Sequence, residues 1–265
     1  MALNLDAIKA KLNQLNKTDD KKNQTWKPEA GKTRVRIVPY VHRKDNPFIE
    51  LYFHYDIAKR SMLSPISFGN ADPIVEFAEK LKKTGDKDEW LMGRKIEPKM
   101  RTYVPVIVRG KENEGVKFWG FGKQIYTELL SIISDPDYGD ITDLMNGRDI
   151  DVEFTPAESA AAYPKTTIRV KPNTQPATED KSVAEKIMNQ PLITDIFPEP
   201  SYQELEQALN EWMNPSNADA DVEETEEEEE TPVTKTTTKA PAAKTTTKTE
   251  KVTDVAAAFN DLFNS

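Results

Sequence analysis

The stretch RKIEPKMRTYVPVIVRGKENEGVKFWGFGKQIY, residues 94–126, decides how the rest of the chain is interpreted. Apolar and polar side chains alternate over residues 101–109 and again over residues 116–121, and a turn signal at residues 111–115 separates the two runs. Alternation with a period of two is typical of half-buried strands. The stretch therefore predicts two paired strands joined by a tight connection.

Cations and aromatic rings alternate within this predicted hairpin. Strand pairing could set Tyr103 and Trp119 on one surface, with basic side chains beside them. Single-stranded nucleic acid exposes phosphates on one side and base faces on the other, so its binder needs cations and rings together. Two interpretations stay open: the rings form a stacking platform, or they are core residues of a β-barrel. Both can hold for different rings.

The candidate nucleic-acid contacts share a positive charge or an aromatic ring, and most lie on predicted strands. They are Arg34, Arg36, Lys59, Arg60, Arg94, Lys95, Lys99, Arg101, Tyr103, Lys117, Trp119, Phe121 and Lys123. The cations are expected to contact phosphates, and Tyr103 and Trp119 to stack on bases. For Lys59 and Arg60, a plain charged loop end is an equally open interpretation.

The charge is distributed unevenly along the 265 residues. The net charge is -9, yet residues 1–123 carry 25 basic against 16 acidic side chains, whereas residues 124–265 carry 11 against 29. A basic half joined to an acidic half predicts a polyanion-binding body with an acidic tail. The length allows one sizeable domain with a core, plus tails.

Several classes of site are excluded by composition. The sequence has no cysteine and two histidines, so disulfides, thiolate zinc sites and thiol nucleophiles are ruled out. His54 is interpreted as a surface or cross-strand residue. No run of about 18 apolar residues occurs, and the first residues lack an apolar signal region. We therefore expect a soluble, cytoplasmic-type protein with no metal, no cofactor and no membrane partner.

The predicted fold class is mixed β/α: an OB-fold-like five-stranded β-barrel core with helical insertions and a disordered acidic C-terminal tail. Residues 26–213 form this core, and residues 58–93 are a helical insertion with a helix from the Asp72-Pro73 pair to about Gly85. Residues 123–134 and 201–213 are predicted helices, the latter with a capping box. Residues 149–155 and 166–171 are predicted strands.

The segments flanking the core have different patterns. Residues 1–25 contain an amphipathic helix whose apolar stripe packs either on its own domain or on a neighbouring copy. Residues 214–250 are predicted to be an acidic and then Thr/Lys-rich disordered linker. Residues 251–265 form either a short partner-binding helix or simple disorder. The apolar residues of that last segment are Val255, Phe259, Leu262 and Phe263.

Four runs of sequence carry a resemblance to a known family. They are AKLNQLNK, WKPEAGKTRVRIVPY, PFIELYFH and, most specifically, ENEGVKFWGFGKQIYTEL. Over about residues 10–170, and again in the acidic tail, the chain resembles the single-stranded DNA-binding (helix-destabilising) protein of T-even-type bacteriophages. The resemblance implies an OB-fold cleft that holds one DNA strand, lined by an aromatic at the position of Trp119.

The chain departs from that family pattern in two places. Well-known members hold a structural zinc through Cys and His in the insertion, whereas SMLSPISFGNADPIVEF contains neither, so packing alone must hold this part together. The N-terminal basic motif for cooperative binding is also missing, and Lys9, Lys11 and Lys17 are weak substitutes for it.

The leading hypothesis is a non-catalytic, phage single-stranded DNA-binding protein that coats and protects DNA in replication, recombination and repair in the infected host's cytoplasm. The resemblance implies replication and recombination proteins as partners of the acidic tail. The alternatives are a phage structural or scaffold protein, or a metal-dependent nuclease that uses the acidic loop at residues 135–143.

Overall fold

A computed structural model describes residues 24–43, 45–57, 61–157 and 163–214. Of these, the residues within Met1–Leu51 and Met100–Glu199 form one compact unit, unit 1, and those within Tyr52–Lys99 and Pro200–Ser265 form unit 2. The predicted N-terminal helix, Lys59, Arg60 and the tail from residue 215 lie outside the described residues, so the interpretations made for them remain predictions.

The described residues contain eight strands in a mixed α/β fold. They are β1 (Thr25–Trp26), β2 (Gly31–Ile37), β3 (Ile49–His54), β4 (Met62–Leu63), β5 (Lys99–Val108), β6 (Lys117–Phe121), β7 (Arg148–Thr155) and β8 (Lys165–Thr174). The main sheet has the order β1-β6-β5-β2-β7-β8. The predicted strands from residue 149 and from residue 166 are confirmed as β7 and β8, and the count of five strands was too low.

Six α-helices accompany the strands in the described part of the chain. They are α1 (Pro73–Lys83), α2 (Lys87–Ile96), α3 (Lys123–Ile133), α4 (Lys181–Met188), α5 (Ile193–Ile196) and α6 (Tyr202–Met213), with short 3-10 turns at Pro65–Phe68 and Glu112–Glu114. The predicted α1, α3 and α6 are confirmed. The capping box of α6 at Ser201 and Glu204 is present as expected.

The core of unit 1 lies on one face of the sheet. Val104 and Val106 of β5 are fully buried there, together with Val35 of β2 and Val152 of β7. Helix α3 belongs to the same cluster through Ile125 and Leu129, as its apolar spacing predicts. Burial of side chains of this size contributes about 1.5–3 kcal/mol each, so this face stabilises the unit.

The opposite, outer face of β5 is partly covered. Ile107 of β5 is buried in a second cluster with Val38, Ala177 and two residues of α4, Val183 and Ile187. Helix α4 was not predicted, because an eight-residue helix with two buried apolar positions is hard to distinguish from a loop. From Tyr103 to Ile107 the outer face of β5 is therefore buried, and Arg101 is partly exposed.

Unit 2 is organised around α1. Asp72 caps this helix by accepting hydrogen bonds from the backbone N–H groups of Ile74 and Val75, and Ile74, Phe77 and Leu81 are buried. A second helix, α2, was not predicted. It approaches α1 closely because Gly93 has no side chain: a Cβ there would lie 2.8 Å from the carbonyl oxygen of Ala78.

One predicted pairing is wrong. Alternating side chains over residues 32–41 and 48–57, with a turn signal at residues 45–48, predict two strands joined as a hairpin. In the structure these runs contain β2 and β3, and β2 pairs with β5 and β7 whereas β3 pairs with β4 and β5. Alternation sets which side chains of a strand share a face, but it does not choose the partner strand. The pairing of β2 with β7 matters for the candidate site, because β7 is the acidic strand of the sheet.

Candidate nucleic-acid interface

The register between β5 and β6 places the two predicted stacking rings on opposite faces of the sheet. Tyr103 lies opposite Gly120, and Trp119 lies opposite Val104. Residues directly opposite each other project to the same face, so Trp119 joins the core with Val104 and Tyr103 joins the outer face. The alternation within each strand is as predicted, but the prediction that Tyr103 and Trp119 share one surface is wrong.

Trp119 and Phe121 are core residues of unit 1. Their exposed fractions are 1% and 4%. The Trp119 ring packs edge-on against Trp26, with centroids 5.6 Å apart, and against Phe121 at 4.7 Å. A base cannot reach a ring that is enclosed in this way by other rings. The core interpretation left open for the hairpin aromatics thus holds for these two, which corrects their assignment as DNA contacts.

Tyr103 has a different environment. Its ring lies directly over Gly120, where an added Cβ would come within 2.6 Å of Tyr103 Cε1. On its other side the ring packs against Phe197, with centroids 4.7 Å apart and planes tilted by 49°. The half-exposed Arg101 donates from Nη2 to the carbonyl oxygen of Gly120 at 3.4 Å. We call these four residues, Arg101, Tyr103, Gly120 and Phe197, the Tyr103 surface.

Phe197 was not among the predicted site residues. It directly follows the four-residue helix α5 in the run IFPEPS, which has no strand or helix periodicity. Only the fold brings it to Tyr103, 94 positions earlier in the chain. An aromatic residue beside prolines in a polar connection is the one local signal that could have drawn attention to it.

The cations of β2 are paired with carboxylates of β7. Arg34 stands opposite Asp151 in the ladder, and its Nε donates to Asp151 Oδ1 at 2.8 Å. Arg36 is fully buried, and its Nη1 donates to Asp149 Oδ1 at 2.9 Å. Arg109 donates to both oxygens of Asp149 at 2.8 and 2.9 Å. Arg36 therefore belongs to a buried ion pair and cannot contact phosphate, which corrects its assignment as a phosphate contact.

Three further candidate cations lie on three different elements, β5, β6 and α3. Lys117 of β6 has a side chain only 14% exposed, 3.4 Å from Glu114. Lys123 is exposed and is the first residue of α3. Lys99 is exposed at the start of β5, in the strand position two before Arg101.

Two more candidate cations lie on a helix of unit 2. Arg94 and Lys95 occupy the last turn of α2 rather than a strand. The Arg94 guanidinium is 5.3 Å from the Trp90 ring centroid and 3.8 Å from Glu97. Both side chains are exposed, so they can contact a polyanion from unit 2.

Unit 2 contains a buried polar cluster where the resemblance implies a zinc site. His54 is 1% exposed; its Nδ1 is 2.9 Å from the carbonyl oxygen of Ile96, and its Nε2 is 2.9 Å from Asp72 Oδ2. Ser64 also donates to Asp72. His54 is cross-strand to Met62, as expected, but it is not on the surface.

These residues do not fit a zinc ion. Structural zinc takes four ligands, mostly Cys and His, and the chain has no cysteine. Both ring nitrogens of His54 already face protein acceptors, so neither lone pair points into an open site. Within residues 24–43, 45–57, 61–157 and 163–214 there is no group of three or more His, Asp or Glu side chains arranged for a metal. None of the helices described is long and apolar enough to span a membrane.

Comparison with known families places this chain in the class of DNA-binding proteins. A family described as "gp32 DNA binding protein like" matches residues 29–214, which include almost all of the described residues of both units. The chain belongs to this gp32-like family, and the resemblance drawn from the hairpin sequence is confirmed. No curated protein matches the chain.

Proposed function

We propose that this protein binds single-stranded DNA with little sequence preference, through an OB-type barrel formed by unit 1. It coats and protects the strand during phage replication, recombination and repair in the cytoplasm of the infected cell. It acts as a binder, without catalysis and without a cofactor. The family match and the Tyr103 surface support this proposal.

The observation that carries the proposal is the contact of two rings beside a half-exposed guanidinium. Tyr103 is only 8% exposed, since Phe197 covers it, whereas Phe197 itself is half-buried. Phe197 therefore offers a ring to a base, and Tyr103 supports that ring from below. Arg101 adds a cation next to the pair, which is the combination that an unpaired strand requires.

The lack of sequence preference follows from the chemistry of such a surface. Every base has a π face, so stacking on Phe197 does not distinguish one base from another, and it contributes about 1–3 kcal/mol per base. Phosphate contacts from Arg101 and Lys123 add an electrostatic contribution that weakens as salt rises. Duplex DNA hides its base faces, so we expect the protein to prefer unpaired strands and to favour melting.

The segments outside the described residues complete the proposal. Residues 1–25 supply self-association on DNA, and the tail recruits replication and recombination proteins through the apolar side chains of residues 251–265. Lys59 and Arg60 remain proposed phosphate contacts.

The test is substitution of Phe197. We expect Phe197→Ala to weaken binding to fluorescein-labelled oligo(dT) about 5- to 150-fold, because the stacked base loses its ring. Phe197→Leu keeps an apolar side chain over Tyr103 but has no π face, so it should weaken binding nearly as much while preserving stability. Fluorescence anisotropy gives the affinity, and urea unfolding gives the stability.

Tyr163→Ala is the matched control, since it removes a ring that is 61% exposed elsewhere in unit 1. It should leave affinity unchanged. Equal affinity of wild type, Phe197→Ala and Phe197→Leu would contradict the site. If the wild type did not bind oligo(dT), this result would contradict the proposed function itself and favour the scaffold or nuclease alternatives.

A further inference from the structure

The outer face of β2, β7 and β8 carries a cluster of cations around one buried carboxylate. Asp151 is 3% exposed, and three cations reach it: Lys32 at 2.9 Å, Arg34 at 2.8 Å and Lys171 at 2.7 Å. Burial alone would raise the pKa of Asp151, yet the hydrogen bonds from these cations hold it well below its usual range. Asp151 is therefore charged and fixes all three cations in place.

The cluster has more positive than negative charge. One carboxylate neutralises one of the three cations, and Arg169 stands opposite Asp151 on β8, exposed to solvent. A further carboxylate on this row of β7 is Glu153, which lies opposite Lys32 and is exposed. Four cations and two carboxylates leave a net charge of about two units, concentrated on three neighbouring strands.

The contact of Arg34 with Asp151 leaves Nη1 and Nη2 of its guanidinium available for a ligand. It contacts Asp151 through Nε alone, and no other described residue hydrogen-bonds to Nη1 or Nη2. These two nitrogens form the planar fork that suits two phosphate oxygens at once. Lys32 and Lys171 form ion pairs with Asp151 Oδ2, and each lysine ammonium has three donors. The side chains of Lys32, Arg34 and Lys171 are 54%, 47% and 31% exposed, so an anion can reach them.

The cluster is separate from the Tyr103 surface although both lie on the outer face of the same sheet. Arg34 lies beside the end of β5, where Val35 pairs with Val108. Tyr103 is five residues further along β5, which is about 17 Å at the rise of a strand. Between them Ile107 is covered by α4 through Val183 and Ile187. A ligand that occupies both places must be extended, because a single nucleotide is too short to reach from one to the other.

We propose that Lys32, Arg34, Arg169 and Lys171 form a second contact for the same DNA strand, which holds backbone phosphates several nucleotides away from the bases stacked at the Tyr103 surface. This inference rests on the proposed function and adds to it a second phosphate site and a minimum length of strand. Arg34 is the bidentate residue, and Asp151 is the positioning residue that aligns it.

The experiment combines one variant with a series of oligonucleotide lengths. The triple variant Lys32→Gln, Arg169→Gln, Lys171→Gln removes three charges and keeps the Arg34–Asp151 pair. Its matched control, Lys83→Gln, Lys111→Gln, Lys181→Gln, removes three exposed lysines from other places in the fold. Fluorescein-labelled oligo(dT) probes span the range of roughly 4 to 16 nucleotides that single OB folds cover.

We expect the triple variant to bind the shortest probes like the wild type and the longest probes more weakly. For long probes the slope of log affinity against log salt should become shallower by about 0.7 for each phosphate that the variant no longer neutralises. The control should bind every length like the wild type. Arg169→Gln alone, which leaves the three ion pairs of Asp151 in place, should show the same length dependence on a smaller scale.

Two results would overturn the inference while leaving the proposed function intact. One is equal binding of all lengths by the triple variant, the control and the wild type. The other is an equal decrease in affinity for short and long probes. Failure of the wild type to bind any probe would instead contradict the proposed function.

Discussion

Arg36 shows how the fate of a single residue depends on the strand beside it. It alternates with Val35 and Ile37 in KTRVRI, as a solvent-facing cation would, but its side chain is fully buried. Asp149 receives hydrogen bonds from Arg36, Arg109 and Gln175, and Arg36 also donates to the carbonyl oxygen of Gln175. Removing one partner from a buried charge network of this kind leaves an uncompensated buried charge, whatever the net contribution of the intact network to stability.

The first prediction concerns this network. Asp149→Asn removes the carboxylate that Arg36 contacts and leaves a buried, unpaired cation, so we expect the free energy of unfolding to fall by about 3–5 kcal/mol. Urea denaturation followed by circular dichroism measures it. Glu153→Gln is the control, because Glu153 lies on the same strand but is exposed. A change of about 0.5 kcal/mol or less in both variants would show that the network does not stabilise unit 1.

At the scale of elements, a buried polar cluster connects four segments of unit 2. His54 belongs to β3, Ser64 follows β4, Asp72 precedes α1, and Ile96 ends α2. The two ring nitrogens of His54 face the carbonyl oxygen of Ile96 and the carboxylate of Asp72. The cluster links these segments by hydrogen bonds, in a part of the fold where the resemblance implies a metal.

The second prediction is the stability of this cluster. Asp72→Ala removes a helix cap, which costs about 0.5–2 kcal/mol, and leaves His54 and Ser64 without a buried partner, which adds about 1–3 kcal/mol. Asp86→Ala is the control, since Asp86 caps α2 in the same way but is exposed. Thermal unfolding should show a larger decrease in stability for Asp72→Ala. Equal decreases would mean that Asp72 acts only as a cap.

The third prediction concerns the pH dependence of the difference in stability between wild type and Asp72→Ala. Burial alone would raise the pKa of Asp72, but hydrogen bonds from His54 and Ser64 and the charge of His54 hold it below its ordinary value of 3.8. A carboxyl group whose pKa is lowered in the folded state stabilises the fold at pH values above its unfolded-state pKa. This stabilisation disappears as the pH falls through the folded-state pKa. The stability difference between wild type and Asp72→Ala should therefore narrow below about pH 4. A difference that stays constant between neutral and acidic pH would contradict a charged Asp72.

At the scale of the whole molecule, charge is divided between the matched domain and the tail. Residues 215–265 carry twelve acidic and five basic side chains, so their removal changes the net charge from -9 to -2. Nine of those acids lie in residues 219–230. We expect a polyanion on the same chain as a DNA-binding domain to compete with DNA for the cations of that domain at high effective concentration.

A truncation after Asn214 tests this competition. We expect it to raise the apparent affinity for oligo(dT) and the duplex-melting activity at low salt, with the difference fading as salt screens both interactions. Anisotropy titrations at several salt concentrations measure the effect. The control keeps the length and replaces the nine acids of residues 219–230 with Gln, and it should behave like the truncation. Unchanged affinity in both would leave the tail as a tether.

Much of the fold was predictable from local pattern. The cap at Asp72, the capping box at Ser201 and the alternation of β5 and β6 all appear in the structure as expected. The three missed helices, α2, α4 and α5, are short and have few buried positions, so tertiary packing rather than propensity stabilises them. The candidate site was less predictable, because Arg101 and Tyr103 were predicted while Phe197 was not.

The sequence alone determined the class of this protein: a basic, aromatic-rich hairpin, an acidic tail and a family pattern that places it among DNA-binding proteins. Tertiary structure alone decided which of its rings and cations are accessible. Alternation fixes the two faces of a strand, but the register between β5 and β6 decides that Trp119 points inward with Val104. Likewise, the pairing of β2 with β7 buries Arg36 with its carboxylate and leaves Arg34 partly exposed beside Asp151. Strand pairing depends on contacts between residues far apart in the chain, and these cannot be read from the residues of one strand.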